Sequence, residues 1–174
     1  MHICKKNQFQ PGTYSKISYS ISKTWNKNIT NFKSRQRAQF IRSFYDCLIS
    51  TSKSINRDNS LLNCRIRGLE NKSPDVVIID RKLKIKRTLD LFDIKNRKII
   101  IITESKLSKK INLLKKKGAI VKNIQSINSF DFFKKVLNYL KKKGYSRILS
   151  ETGLIFLNFL FRYNFLNNLY IFKT

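Results

Sequence analysis

The sequence predicts an α/β domain with a mostly parallel central sheet and flanking helices. Three observations carry that expectation. Residues 75–80 (DVVIID) and 99–103 (IIIIT) are near-continuous β-branched runs, as expected of strands buried on both faces. From residue 75 onward such runs alternate with helical stretches, the signature of βαβ units. The chain of 174 residues is 41% hydrophobic, with 13 Phe and 7 Tyr, so it can bury one real core and does not have the composition of a disordered chain.

The elements follow in order. Residues 15–21 (SKISYSI) alternate and suit a first strand. Residues 33–43 have the apolar spacing of a short helix, with Thr30 or Asn31 as its cap. Residues 45–50 read as a strand that enters a polar loop over 53–60. After the runs at 75–80 and 99–103, helices are expected over 106–117 and 129–143, and strands over 119–122 and 145–149. A helix over 153–163 and a strand over 168–173 close the chain. No internal repeat and no linker rich in Pro, Gly or Ser interrupts this order.

The charge is extreme: 37 Lys+Arg against 10 Asp+Glu gives +27. Such a balance favours polyanions, whether nucleic acid, acidic membranes or phosphorylated small molecules. It also fits compositional drift in a chain rich in Lys, Asn, Ile and Phe. The triplets Lys115, Lys116, Lys117 and Lys141, Lys142, Lys143 each precede a glycine and read as solvated last turns of helices. Cys4, Cys47 and Cys64 are scattered and His2 is the single histidine, which argues against a His/Cys zinc site and for a reducing compartment. No apolar signal core opens the chain, and Asn158, Arg162, Asn164, Asn167 and Asn168 interrupt the apolar stretch near its end, so no membrane span is expected.

There is no P-loop, GxGxxG, HExxH or nucleophile elbow. In parallel sheets ligands bind at the carboxyl ends of strands, which points to Asp80 and Arg81, to residues 103–105 and to residues 150–153. The Ser150-Glu151-Thr152-Gly153 turn leads from a strand into a helix, aiming helix amides at a phosphate, while Glu151 suits a sugar hydroxyl or base edge. Arg42 and Arg65 are candidates for a bidentate phosphate grip. Taken alone, the turn also reads as an ordinary dipole-compensating cap, and the arginines as surface residues.

Together these stretches resemble the reductase domain of the riboflavin-biosynthesis deaminase/reductases. Members of that family carry a strand with Lys followed by Ser-Leu-Asp-Gly, an Ile-Thr-Ser helix start, and a helix ending in Arg. Here the matching residues are Lys16-Ile17-Ser18-Tyr19-Ser20, Ile29-Thr30-Asn31 and Arg42. The family's Thr-Val-Leu-Ala-Asp-Asp-Pro-x-Leu-x-x-Arg loop is similar to residues 54–65, and its next strand, with Val-Leu-Asp-Ser, to Val77-Ile78-Ile79-Asp80-Arg81. Its Glu-Gly-Gly-Pro-Thr-Leu turn is similar to Glu151-Thr152-Gly153-Leu154-Ile155-Phe156, and its Val-Asp-Glu-Leu strand entry to Leu166-Asn167-Asn168-Leu169.

The resemblance implies a dihydrofolate-reductase-like fold, C-terminally shortened, over residues 15–174, with residues 1–14 as an N-terminal extension. It implies NADPH-dependent reduction of 5-amino-6-(5-phosphoribosylamino)uracil to its ribitylamino form, in the cytoplasm. Arg42, Leu62, Arg65 and Glu151 then match substrate-contacting positions. Tyr19, Ser54, Asp58, Gly153, Leu154, Ile155 and Phe156 match positions around the cofactor. The implied partners are the phosphorylated pyrimidine, and a second copy of the chain or a separate deaminase. Several residues depart from the family pattern: Asn59 and Ser60 stand for Asp and Pro, Thr152 for Gly, and Ile155 for Thr. A degenerate relative that keeps the fold without the chemistry is therefore a companion expectation. Two alternatives from other classes remain. One is a basic nucleic-acid or ribosome-associated protein, which requires a contiguous Lys/Arg face. The other is a non-catalytic dimerising scaffold, which uses a sheet edge left open by the final strand.

Overall fold

The computed structural model describes residues 2–5 and 32–171. Strands β2 (Cys47–Thr51), β3 (Asp75–Ile79), β4 (Ile99–Thr103), β5 (Ile120–Asn123) and β6 (Ile148–Ser150) form one parallel sheet in the order β5-β4-β3-β2-β6. A separate antiparallel pair joins β1 (His2–Lys5) to β7 (Asn168–Ile171). The expected strand over 15–21 and the cofactor candidate Tyr19 lie outside the described residues.

Strand character follows position in the sheet. The three central strands read CLIST, DVVII and IIIIT, and nearly all of their residues are buried. Their side chains alternate between two cores, as the period of two requires. Leu48, Val76, Ile78 and Ile101 face the side packed by α1 (Phe32–Arg42), α2 (Ser52–Asp58) and α3 (Ser108–Lys116) through Ile41, Ile55 and Leu114. Ile49, Val77, Ile100 and Ile102 face the side packed by α4 (Ser129–Lys142) and α5 (Leu154–Arg162) through Phe132, Val136, Leu140 and Leu160. The outer strands are less buried: β5 exposes Ile120, Lys122 and Asn123.

Two expectations need correction. Residues 53–60 are not a loop throughout, because α2 occupies Ser52–Asp58. Thr51 caps this helix, its Oγ1 accepting from the Ser54 amide at 3.3 Å, and Asn59 ends it in the left-handed region at φ 45°. Only Ile55 and Ser52 are buried, so seven mostly polar residues carry no apolar period to read. The connection from β3 to β4 likewise holds no α-helix. It contains a 3-10 turn at Asp90–Asp93. Asp80 fixes its start, accepting from the amides of Lys84 at 2.8 Å and Ile85 at 2.7 Å, while Leu83, Ile85, Leu89 and Leu91 are buried in the core. The final strand pairs on one side with β1, so its other edge has no strand neighbour among the described residues, and neither do the outer edges of β5 and β6.

No helix among the described residues is long and apolar enough to cross a membrane. No group of three or more His, Cys, Asp or Glu that could hold a metal occurs among them.

Candidate functional site

The chain runs outward from β2 through β3 and β4 to β5, then returns to the other side of β2 with β6. The carboxyl ends of β2 and β6 therefore form the point of reversal, where open parallel sheets take ligands. Each of these strands feeds directly into a helix, β2 into α2 and β6 into α5. The amide of Glu151 donates to the Ile49 carbonyl at 3.0 Å, and buried Ser50 donates from Oγ to the Glu151 carbonyl at 2.7 Å. These bonds fix the turn after β6 against β2. Gly153 caps α5 with φ −70°, so an ordinary residue fits its backbone. Among the described residues, a Cβ there would meet only Ser54 Oγ, at 3.7 Å. The two helix starts thus lie side by side, and Gly153, which has no side chain, gives the first-turn amides of α5 no side-chain cap.

Arg42 ends α1 and reaches across to Glu151. Its Nε and Nη2 donate to the two carboxylate oxygens, each at 2.7 Å, and its Nη1 donates to the Asn63 carbonyl at 2.8 Å. Arg97 continues this cluster from the start of β4, donating to the carbonyls of Leu61 and Leu62. Burial, together with the nearby Arg42 charge and against the pull of Asp75, lowers the Arg97 guanidinium to about 10. Two arginines therefore hold the three successive carbonyls of residues 61–63. They fix a strained segment, because Leu62 sits at φ 53° with its side chain buried.

The structure brings Arg42 and Glu151 into direct contact, and Ser54 next to Gly153. Leu62 lies beside them through its backbone, its side chain belonging to the core. Arg65 is exposed, and its amide donates to Gln39 of α1 at 3.0 Å. Asp58 is at the far end of α2 from Ser54, exposed and paired with Arg57 at 2.7 Å. Leu154 and Ile155 are exposed, Ile155 to 79%, on the first turn of α5. Phe156 packs against Phe133 of α4 with ring centroids 5.5 Å apart, and Phe159 does so at 5.8 Å, which anchors α5.

Sequence reasoning missed Arg97 and Ser50. Ser150 Oγ is buried and finds no hydrogen-bond partner among the described residues. Ser50 could have been found as a polar residue at the carboxyl end of a strand, as Ser150 was. Arg97 carried no signal, since its role depends on the path of a distant loop. A second charged cluster lies at the ends of β3 and β4. There Arg81 grips Glu104 at 2.5 and 3.2 Å and donates to Ser129 Oγ at 3.0 Å. Burial opposes ionisation of Glu104, but hydrogen bonds from Arg81 and Ser126 and the Arg81 charge hold its carboxyl below the ordinary range.

A cavity of about 780 Å³ runs along the outer edge of β6, between Ile41 of α1 and Leu157 of α5, and reaches Ser150 and Glu151. Its size is that of a small-molecule site, and its walls are mostly apolar with few polar groups.

The sequence model of the family described as RibD C-terminal domain matches residues 18–173. None of the curated proteins compared matches the chain in sequence. Among solved structures, the chain is similar to the diaminohydroxyphosphoribosylaminopyrimidine deaminase/5-amino-6-(5-phosphoribosylamino)uracil reductase of Thermotoga maritima. That likeness has a TM-score of 0.54 and 24% identity, over 72% of this chain and 32% of the other. Similarity to Acinetobacter baumannii RibD has a TM-score of 0.61 and 19% identity, over 84% and 38% of the two chains. Similarity to the riboflavin biosynthesis reductase Rib7 of Saccharomyces cerevisiae has a TM-score of 0.57 and 23% identity, over 74% and 57%. The matched part is thus between about a third and just over half of each of these chains. The fold shared with them is dihydrofolate-reductase-like.

Proposed function

Since the chain belongs to the family of RibD C-terminal domains, we propose that it reduces 5-amino-6-(5-phosphoribosylamino)uracil to the ribitylamino form with NADPH, in the cytoplasm. The observation that carries this reading is the reversal point itself. There an uncapped helix N-terminus stands beside a carboxylate–guanidinium pair at the mouth of a cavity.

The residues present suit a dinucleotide. The start of α5 offers amides and a positive dipole end to phosphate oxygens. Gly153 leaves space for close approach, and Ser54 adds a hydroxyl. NADPH, when bound, supplies the hydride. The chain's own residues bind and orient. Glu151 offers carboxylate lone pairs to substrate hydroxyls or ring N–H groups, and Arg42 holds that carboxylate in one orientation. Arg65, whose guanidinium makes no ion pair among the described residues, is the group assigned to the substrate phosphate. The exposed apolar chain of Ile155 stands where relatives of the resembled family carry a hydroxyl, and it gives the cofactor an apolar rather than a hydrogen-bonding contact. The partner in this reading is a second copy or a separate deaminase subunit, and sedimentation of the purified chain distinguishes the two.

The test is NADPH oxidation with the deaminated ribosylamino-pyrimidine phosphate as substrate. Turnover that drops in both Glu151→Gln and Arg65→Ala supports the reading. A folded wild-type protein with no turnover and no saturable NADPH binding overturns it.

A further inference from the structure

We propose that the amino-terminal end of the sheet, opposite the candidate reductase site, binds the sugar–phosphate backbone of nucleic acid without sequence preference. The inference is independent of the reductase reading.

The sequence spreads its lysines over helices and loops, but the fold gathers them. Residues 105–144 contain twelve lysines and a single acid, Asp131, and so carry eleven of the 27 net positive charges. They form α3, β5 and α4, one end of the sheet in strand order. Helix α3 connects the carboxyl end of β4 to the amino end of parallel β5, so its last turn must lie at the amino-terminal end. Helix α4 makes the same return from β5 toward β6 on the opposite face. Both lysine triplets, at 115–117 and 141–143, therefore emerge at the same end, away from Glu151 and Gly153. All six side chains are exposed. Between them, Lys122 of β5 and Lys143 lie over the ring of Tyr139, at 5.7 and 6.0 Å from its centroid.

The ordinary reading of such lysines is compensation of the helix dipole. That accounts for about half a unit charge at each helix end. Three lysines per end overshoot it severalfold, and Gly118 and Gly144, at φ 83° and 87°, already shape both C-termini. The acids nearby are outnumbered. Asp46 is paired with Arg147, and Asp75, which accepts from the Tyr145 hydroxyl at 2.6 Å and the Lys98 amide at 2.7 Å, is one carboxylate against the six lysines of the triplets. A lipid surface is the poorer fit, because the large apolar residues of α4 (Phe132, Phe133, Val136 and Leu140) are buried in the core. A run of exposed cations at one end of the sheet suits a phosphate backbone.

The experiment is fluorescence anisotropy of a labelled single-stranded RNA of about 20 nucleotides with the full chain at stepped salt. Expected is binding that weakens with salt by about 0.7 log units per tenfold change for each phosphate neutralised. K115Q/K116Q/K117Q and K141Q/K142Q/K143Q should each lower affinity about tenfold or more near 0.1 M salt and flatten that slope. K82Q/K84Q/K106Q removes the same charge from exposed positions at the carboxyl-terminal end of the sheet, after β3 and β4, and should change affinity less than about twofold. An equal loss in the control triple would mean diffuse attraction by net charge and overturn the proposal. So would unchanged affinity in both triplets, absence of binding near 0.1 M salt, or preference for phosphatidylserine vesicles over RNA. Circular dichroism melts check folding, and Lys122→Gln supplies the smallest change if a triplet variant fails to fold.

Discussion

Arg42 and Glu151, 109 positions apart in sequence, are joined by two parallel hydrogen bonds of 2.7 Å. The pair ties the end of α1 to the turn after β6, and it is largely shielded, with side-chain exposures of 13% and 28%. Charge-assisted bidentate bonds of this kind are the strong ones. Arg42→Ala should destabilise the protein by about 1–3 kcal/mol, because it also frees the Asn63 carbonyl. Arg42→Lys should recover only part of this, since an ammonium cannot form the fork. Urea unfolding measures both. An Arg42→Ala variant as stable as wild type would show that the pair contributes no net stability.

Gly153 gives a sharper separation of fold from function. Its φ is ordinary for any residue, and among the described residues a Cβ would make only an ordinary contact with Ser54. Gly153→Ala should therefore shift stability by no more than about 1 kcal/mol. NADPH affinity should fall severalfold if dinucleotide phosphates approach α5 at this point. Thermal melts and a cofactor titration together read the two effects, and unchanged affinity would count against that placement.

Asp46 predicts a pH dependence. The Arg147 amide, against the upward push of burial and with help from the Ser146 amide and the Arg147 guanidinium, holds its carboxyl below the ordinary 3.8. A carboxylate whose folded value is depressed adds stability that is fully present above its unfolded value and is lost as pH falls through the folded one. The stability gap between wild type and Asp46→Asn should be constant above about pH 5 and shrink below 3.8. Denaturant curves at several acid pH values check this.

Cys47 is fully buried in β2. Burial, reinforced by the Asp46 and Asp75 charges, pushes its thiol up to about 12. The thiolate is the reactive form, so at pH 8 native Cys47 should resist iodoacetamide and label only in denaturant. Peptide mapping of labelled protein reports it, and rapid native labelling would mean that β2 opens readily.

The parallel sheet was legible because Asp75–Ile79 and Ile99–Thr103 are apolar on both faces, a pattern that burial under two helical layers demands. The turn after β6 was legible because a polar Ser-Glu-Thr-Gly stretch follows a strand and precedes an aromatic helix. Helix α2 was not, because its stability lies in the Thr51 cap and one buried residue, Ile55, rather than in a repeating face. The role of Arg97 and the strained backbone of Leu62 were equally hidden. Each exists only once residues 61–63 are folded against α1 and the start of β4. Strand order was hidden as well, and it is strand order that makes β2 and β6 neighbours and collects the lysine triplets at one end.

Strand β6 has three residues and a single sheet neighbour among the described residues, yet it leads into Glu151 and the start of α5. Short edge segments open at lower free energy than a buried central sheet. The turn that carries Glu151 and Gly153 can therefore open while β2 through β5 stay intact. Any ligand that bridges Ser54 and Gly153 must hold that edge closed, and its binding energy then appears as protection of β6 and α5 against hydrogen exchange.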